Sequence, residues 1–400
     1  MRTGIFEGVR ILERAQWVFV PAAGAVLADQ GADVVKIENP ATGDPYRGLM
    51  TQGLGAQLGD VNLNIEQNNR GKRSVGLDIR TEQGRDLMYR LAERSDVFLT
   101  NFRPEALARL GYDVADLWAR NPRIVYARGH GYGIRGGEAN TPGYDSTAYW
   151  ARGGFAHTLT PSDYTGEVAS RGAIGDKPAA MNLAYGIAAA LFRRERTGEA
   201  SVVDVSLLAS AVWTLSSDIL STTIVSTPPD PAVKPNRQLG GYRTKDDRLI
   251  TVQILNEAHW PGWVRAIGRD DLTQDARFST REARMEHAAE YEAEVEATFA
   301  ARTYEEWCVV LRDSSTPWAP VQSATEVGRD PQVVANDYLV KLETEDGVPY
   351  TVANAPVEFD ETPTRPRRAP SAGQHTEEVM LELGLSWDEI IELKLAEILA

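Results

Sequence analysis

Asp176 is the side chain whose surroundings in the sequence best suit it to chemistry. It follows a glycine-rich turn carrying Gly172 and Gly175, and it directly precedes a run in which Ala179, Ala180, Leu183, Ile187, Ala190 and Leu191 recur at helical spacing. That run stays apolar around much of its circumference until Arg193, Arg194, Glu195 and Arg196, and Thr197 with Gly198 ends it. Pro178 is compatible with such a helix because the first turn has no intrahelical N–H bond to lose. The spacing therefore predicts a carboxylate at the mouth of a buried helix, where backbone N–H groups are free. A carboxylate there can cap the helix, or it can stand at the edge of a cleft as a nucleophile. Spacing alone leaves both readings open.

Other reactive side chains are few. The five histidines show no HExxH or other metal-ligand spacing, so no metal is expected. His130 sits in a glycine-rich stretch, where an imidazole can meet a substrate carboxylate or be hydrogen-bonded within its loop. The single cysteine, Cys308, excludes an intrachain disulfide framework and reads as a buried thiol on a helix with Trp307, Val309 and Val310. Trp17, Phe19, Tyr144, Tyr149 and Trp150 are aromatics that could line an apolar pocket.

The elements that must position these groups alternate. Strands are expected at 9–12, 32–38, 73–78, 96–99 and 124–127, with helices at 22–30 and 81–93 and another opening at Pro104. This βαβ pattern predicts an α/β fold with a parallel sheet. No GxGxxG follows the first strand, which argues against a dinucleotide site. In open parallel sheets ligands bind beyond the carboxyl ends of the strands, so the loops at Trp17, Asn101 and 128–131 should surround one crevice. Prolines crowd 228–235 and suggest a linker. Beyond it, 241–244 and 249–254 read as a hairpin opening a smaller α+β domain, and 375–399 as a helical tail interrupted at Gly384.

Composition sets outer bounds. The chain has 400 residues, 42% of them hydrophobic, enough for a sizeable core. A net charge of -15 argues against a nucleic-acid partner. No apolar run approaches a membrane span, and the start MRTGIFEGVRILE lacks a signal peptide's apolar segment, so a cytoplasmic protein is expected.

A set of ordered motifs adds to this reading. FEGVRILE, GAVLADQGADVVKIENPATGDPYR, NNRGKRSVGLDIRTEQGRDLMYRLAERSDVFLTNFRPEALARLGYD, NPRIVYARGHGYG, PGYD, the Asp176 helix ending RRERTG, and DPQVVANDYLV together resemble the family III CoA-transferases over nearly the whole chain. The resemblance implies a Rossmann-like large domain from 1–225 and 327–400, a small α+β domain at 240–316, linkers at 226–239 and 317–326, and an interlocked-ring homodimer. It implies coenzyme A and acyl-CoA as substrates together with a carboxylic acid. Asp176 would be the catalytic nucleophile, attacking the thioester to give an aspartyl mixed anhydride and a retained thiolate. Trp17, Val18, Asn101, Phe102 and Arg109 would contact CoA, with Lys72 and Arg73 near its phosphates, and Phe19, His130, Tyr144 and Asp145 would line the substrate pocket. Val18 stands where relatives often carry glutamine, and Asn39 where some carry a basic residue. Racemase members carry histidine at the place of Tyr144, so a phenol there favours transfer. The alternatives are an acyl-CoA racemase or epimerase and a non-catalytic CoA-binding protein.

Overall fold

The computed structural model describes residues 4–52, 57–224 and 239–400. The proline-rich stretch expected as a linker lies outside the described residues. The chain divides into two compact units, one of Met1–Thr160, Thr165–Pro228 and Gln332–Ala400, the other of Pro161–Tyr164 and Pro229–Pro331.

The larger unit is organised by six parallel strands: β1 (Arg10–Arg14), β2 (Asp33–Glu38), β3 (Arg73–Gly76), β4 (Val97–Thr100), β5 (Val125–His130) and β6 (Val202–Ser206). Their spatial order is β3-β2-β1-β4-β5-β6, the doubly wound, Rossmann-like arrangement whose direction reverses between β1 and β4. Strands β1 to β5 are mostly buried because both faces are covered, while β6 is largely half-exposed. Ile11, Val34, Val97 and Val125 face one core with Val20, Leu27, Leu183 and Ile187. Leu12, Val35, Phe98 and Tyr126 face another with Leu87, Met88, Val379, Met380 and Ile390.

Three helices of this unit bear on the site. The first, α1 (Phe19–Asp29), begins three residues before the expected start, since Pro21 falls within its first turn, where a missing N–H costs no helical bond. The second, α2 (Pro104–Leu110), opens on its proline and closes at Gly111 with φ +78°. The third, α3 (Asp176–Thr197), runs 22 residues and ends at Gly198, also left-handed. The expected tail divides into helices Thr376–Leu383 and Trp387–Leu395 at Gly384, with φ +95°. After Tyr144 the chain makes one wide π turn, Asp145–Ala151, followed by a short helix Phe155–Leu159.

The smaller unit has its own core of Tyr242, Ile250, Val252, Trp260, Trp263, Tyr291, Phe299 and Trp307. The expected hairpin forms between Leu239–Arg243 and Leu249–Gln253. Trp318–Pro320, expected in a linker, pairs with the second of these strands and completes a three-stranded antiparallel sheet. Cys308 is only partly buried, because its helix turns Trp307 into the core while Val309 and Val310 face outward. Among the described residues no helix is long and apolar enough to cross a membrane.

Candidate active site

The loops leaving β1, β4 and β5 meet at the strand-order reversal and enclose a cavity of about 400 Å³. Its walls include Gln16, Trp17, Val18, Phe19, Asn101, Phe102, Arg109, His130, Tyr144 and Asp176. Positions as far apart in sequence as Gln16 and Leu207 thus share one cleft because parallel connections return every strand in the same direction.

Asp176 is the first residue of α3, and the N-cap is Gly175, so the carboxylate is not the cap that its spacing allowed. Among the described residues it makes no hydrogen bond. The side chain is 9% exposed and opens on the cavity. Burial, and then the charge of Asp145, push its pKa from the ordinary aspartate value up to about 7, against the opposing charge of Lys177. Such a carboxyl is half ionised near neutrality and more basic than a solvated one, which suits a nucleophile kept from water.

Asp145 fixes the turn that delivers Asp176. Its Oδ1 accepts from Gly175 N at 3.0 Å, with further backbone hydrogen bonds from Ile174 and Ala173. Burial raises the pKa of Asp145, and these N–H groups offset part of that rise. Ala173 is held at φ +64°, and a Cβ on Gly175 would lie 2.1 Å from Tyr149 and 2.5 Å from Asp145 Oδ1. Glycine at 175 is therefore a steric requirement, as the sequence pattern hinted.

Val18 and Phe19 form the start of α1, whose first N–H groups have no helical acceptor. Asn101 braces the loop before them: its Oδ1 accepts from Gln16 N at 3.0 Å and its Nδ2 donates to Gln16 O at 2.6 Å. Phe102 lies under the guanidinium of Arg14 at 4.4 Å. Tyr144 meets Trp17 edge-on, with centroids 5.6 Å apart and planes at 86°. His130 Nε2 bonds Asp204 Oδ1 at 3.1 Å, and Arg128 Nε bonds the same atom, so the imidazole is tied to the next strand while lining the cleft.

Lys72 and Arg73 do not line this cleft. Lys72 Nζ is enclosed and donates to both oxygens of Glu13 at 2.9 and 2.7 Å, to Pro21 O and to Asn69 Oδ1. No donor is left for a phosphate. Arg73 is matched by Asp33, Glu378 and Glu382 and borders a different cavity. A basic pair beside an apolar strand reads the same in sequence whether its partners are solvent, ligand or buried acids. Sequence reasoning also missed the acids and lysine behind the loop, Glu13, Lys36 and Asp44, all essentially fully buried. Charged residues inside otherwise apolar strands were the available signal, since they are buried only when paired. Among the described residues no cluster of three or more His, Cys, Asp or Glu side chains could hold a metal ion.

The model of CoA-transferase family III matches residues 6–376. The chain is similar to the cinnamoyl-CoA:phenyllactate CoA-transferase of Clostridium sporogenes, 33% identical over 400 residues that cover 98% of this chain and 96% of that protein. It is 29% identical to the (R)-2-hydroxy-4-methylpentanoate CoA-transferase of Clostridioides difficile, covering 98% of each. Among solved structures, Rv3272 of Mycobacterium tuberculosis superimposes with a TM-score of 0.80 at 31% identity, covering 94% of this chain and 99% of that one. A CaiB/BaiF family protein from Brucella suis gives a TM-score of 0.81 at 26% identity, covering 96% and 100%.

Proposed function

This chain belongs to CoA-transferase family III and is an enzyme of CoA transfer, and we propose that it moves CoA from an acyl-CoA donor to a free carboxylic acid with Asp176 as the nucleophile. The observation that carries this reading is a buried, unpaired carboxyl with a pKa near 7 opening on the cleft at the sheet's reversal point. The Asp176 carboxylate adds to the donor thioester carbonyl, and the C–S bond breaks to give an acyl-aspartyl anhydride and CoA thiolate. The acceptor carboxylate adds to the aspartyl carbonyl and expels the donor acid, which leaves with the oxygen Asp176 supplied. The retained thiolate then adds to the new acyl carbonyl, and the aspartate departs carrying one acceptor oxygen. Both charges and atoms balance, and no metal or redox group is needed.

The chain's own groups have definite tasks in this scheme. Free N–H groups at Val18 and Phe19 are donors for the thioester oxygen as it becomes an oxyanion, in place of a side-chain amide at 18. Arg109 lines the cleft and supplies positive charge for the CoA phosphates, and Asn101 and Phe102 wall the path of the pantetheine arm up to Trp17 at its acyl end. Asp145 keeps the turn before Asp176 in place, while His130 and Tyr144 face the acceptor. The relatives whose names specify phenyllactate and 2-hydroxy-4-methylpentanoate support a small organic acid as acceptor.

We take the working enzyme to be an interlocked homodimer. The exposed faces of α3 and the helices after it support a covered surface, with Tyr185 and Trp213 76% exposed and Phe192 and Leu220 nearly as open.

Oxygen labelling tests the scheme. Single turnover with 18O-labelled acceptor acid should add one label to the peptide containing Asp176, and a second turnover should release it in the donor acid. Transfer that proceeds with no label on Asp176 would remove the anhydride.

A further inference from the structure

Trp17 is a bulky residue held at φ +69°, a left-handed conformation that side chains of its size rarely adopt. Such a conformation persists only where the surroundings over-determine it, and it gathers at functional sites. Here every residue from 15 to 17 has a backbone group gripped by a side chain. Lys36 Nζ donates to Ala15 O at 2.8 Å, Asn101 bonds both N and O of Gln16, and Trp17 N donates to Asp44 Oδ1 at 3.2 Å.

Asp44 is the hub of this grip. It is 1% exposed and bonds Lys36 at 2.9 Å, and Lys36 in turn bonds Glu13, with all three side chains enclosed. The Asp44 backbone N–H is fixed by Glu38 Oε2 at 2.7 Å. Asp44 Oδ1 also accepts from Tyr46 N at 3.0 Å, so one oxygen positions the backbones of two aromatic residues. The Tyr46 and Trp17 rings then meet at 6.2 Å and 64°, and the Tyr144 ring meets Trp17 at 5.6 Å and 86°. Trp17 thus touches two phenol rings and, with Tyr144, lines the cavity that holds Asp176. An acyl group lying beside that wall meets ring faces and edges, a surface whose quadrupoles favour another flat ring over a flexible chain of equal size.

We propose that the acyl end of this cleft selects a flat aromatic acyl group, and that Asp44 is the positioning residue that sets the selectivity by holding Trp17 in its left-handed conformation. The inference rests on the transferase reading only in treating the cleft as the acyl-CoA site. Asp44 itself touches no reacting atom.

The test compares phenylpropanoyl-CoA with hexanoyl-CoA as donors to one acceptor acid. The unmodified enzyme should favour the aryl thioester in kcat/KM by up to about ten-fold, the worth of one good ring-on-ring contact. Trp17→Leu should bring the ratio close to one. Asp44→Ala should move it the same way, while Asp44→Asn, which keeps an acceptor oxygen for Trp17 N and Tyr46 N, should retain it. A merely structural role for Asp44 would lower both rates together and leave the ratio alone. The same ratio is read as Kd by calorimetry on the Asp176→Asn protein, where no transfer intervenes. A ratio near one in the unmodified chain, or a ratio indifferent to Trp17→Leu and Asp44→Ala, overturns the proposal. Aryl-selective binding without any CoA exchange in the unmodified enzyme would sink the transfer scheme and leave this selectivity standing; exchange without selectivity would do the reverse.

Discussion

Two buried carboxyls in the same unit are treated in opposite ways. Glu38, at the end of β2, is 1% exposed, and burial alone would raise its pKa. Arg47 grips both its oxygens at 2.8 and 2.7 Å, Ser74 Oγ and Asp44 N add bonds of 2.7 Å each, and the nearby Lys36 contributes charge. Together they outweigh burial and hold the group down at about 2. Asp176, at the mouth of α3, is nearly as buried but has no hydrogen-bonding partner among the described residues and an acid for a neighbour, and it stands near 7. Burial fixes the penalty on a charge, and the partners decide whether it is cancelled. An uncancelled penalty beside a cleft marks a group kept for chemistry.

The largest effects should come from removing each acid. Asp176→Asn should lower CoA exchange by about a thousand-fold or more, as loss of a nucleophile does. It should also stabilise the protein. The folded pKa is raised from 3.8 to about 7, so the wild-type contribution is intact at low pH and is lost as pH rises through that interval; urea unfolding at pH 8 should show the variant more stable by about 2–4 kcal/mol. By the same titration, kcat/KM of the unmodified enzyme should climb with pH and level off above 7.

Glu38→Gln should do the reverse. Activity per folded molecule is secondary; stability at pH 7 should fall by about 3–5 kcal/mol, because Arg47 and Lys36 keep buried charges without their acid. The depressed pKa of Glu38 contributes stability above its unfolded value of 4.5 that fades as pH drops toward 2. The gap between variant and parent should therefore narrow in acid. A constant gap from pH 7 to 3 would mean that packing, and not charge, holds this corner.

The contrast between the two acids was only half legible in the sequence. Five of the six parallel strands were readable as apolar runs; Val202–Ser206, largely half-exposed and carrying Asp204, was not. The three loops around the cleft followed from strand direction alone. Asp176 stood out because Gly175 and Pro178 frame it within a long apolar helix. What could not be read was pairing. The resemblance set Lys72 and Arg73 near phosphates, but neither it nor the spacing could show that Glu13, Asp33, Glu378 and Glu382 stand beside them, some from more than 300 positions away. Nor could the role of Asp44 be read, because its hold on Trp17 depends on two backbone segments meeting in space.

A smaller effect would sharpen the comparison at Asp176 itself. Asp145→Asn keeps an oxygen for Gly175 N but removes the neighbouring negative charge, the second cause of the raised pKa. The acid limb of the pH–rate profile should move downward by about half to one unit, since like charges at close range in a partly dry site shift titration by that order. Asp145→Ala should add a drop in kcat, because the turn at Ala173 loses its anchor. A profile unmoved by Asp145→Asn would assign the raised pKa to burial alone.

The smallest expected change separates transfer from racemisation. Moving a proton across an α-carbon needs two groups that titrate near neutrality on opposite sides of it. Asp176 qualifies as one, with its pKa of about 7. Tyr144 is the ring set edge-on against Trp17 in the same cleft, and a phenol is a poorer proton acceptor than an imidazole. In heavy water the unmodified enzyme, given an acyl-CoA without acceptor acid, should show no deuterium at the α-carbon beyond that of the free thioester. Tyr144→His places an imidazole on the same exposed edge and should introduce slow but measurable wash-in by mass spectrometry, dependent on Asp176. Wash-in by the unmodified chain would instead mean that Asp176 already has a second base, and the unmatched acid that distinguishes this cleft from the Glu38 corner would be one half of a proton-transfer pair.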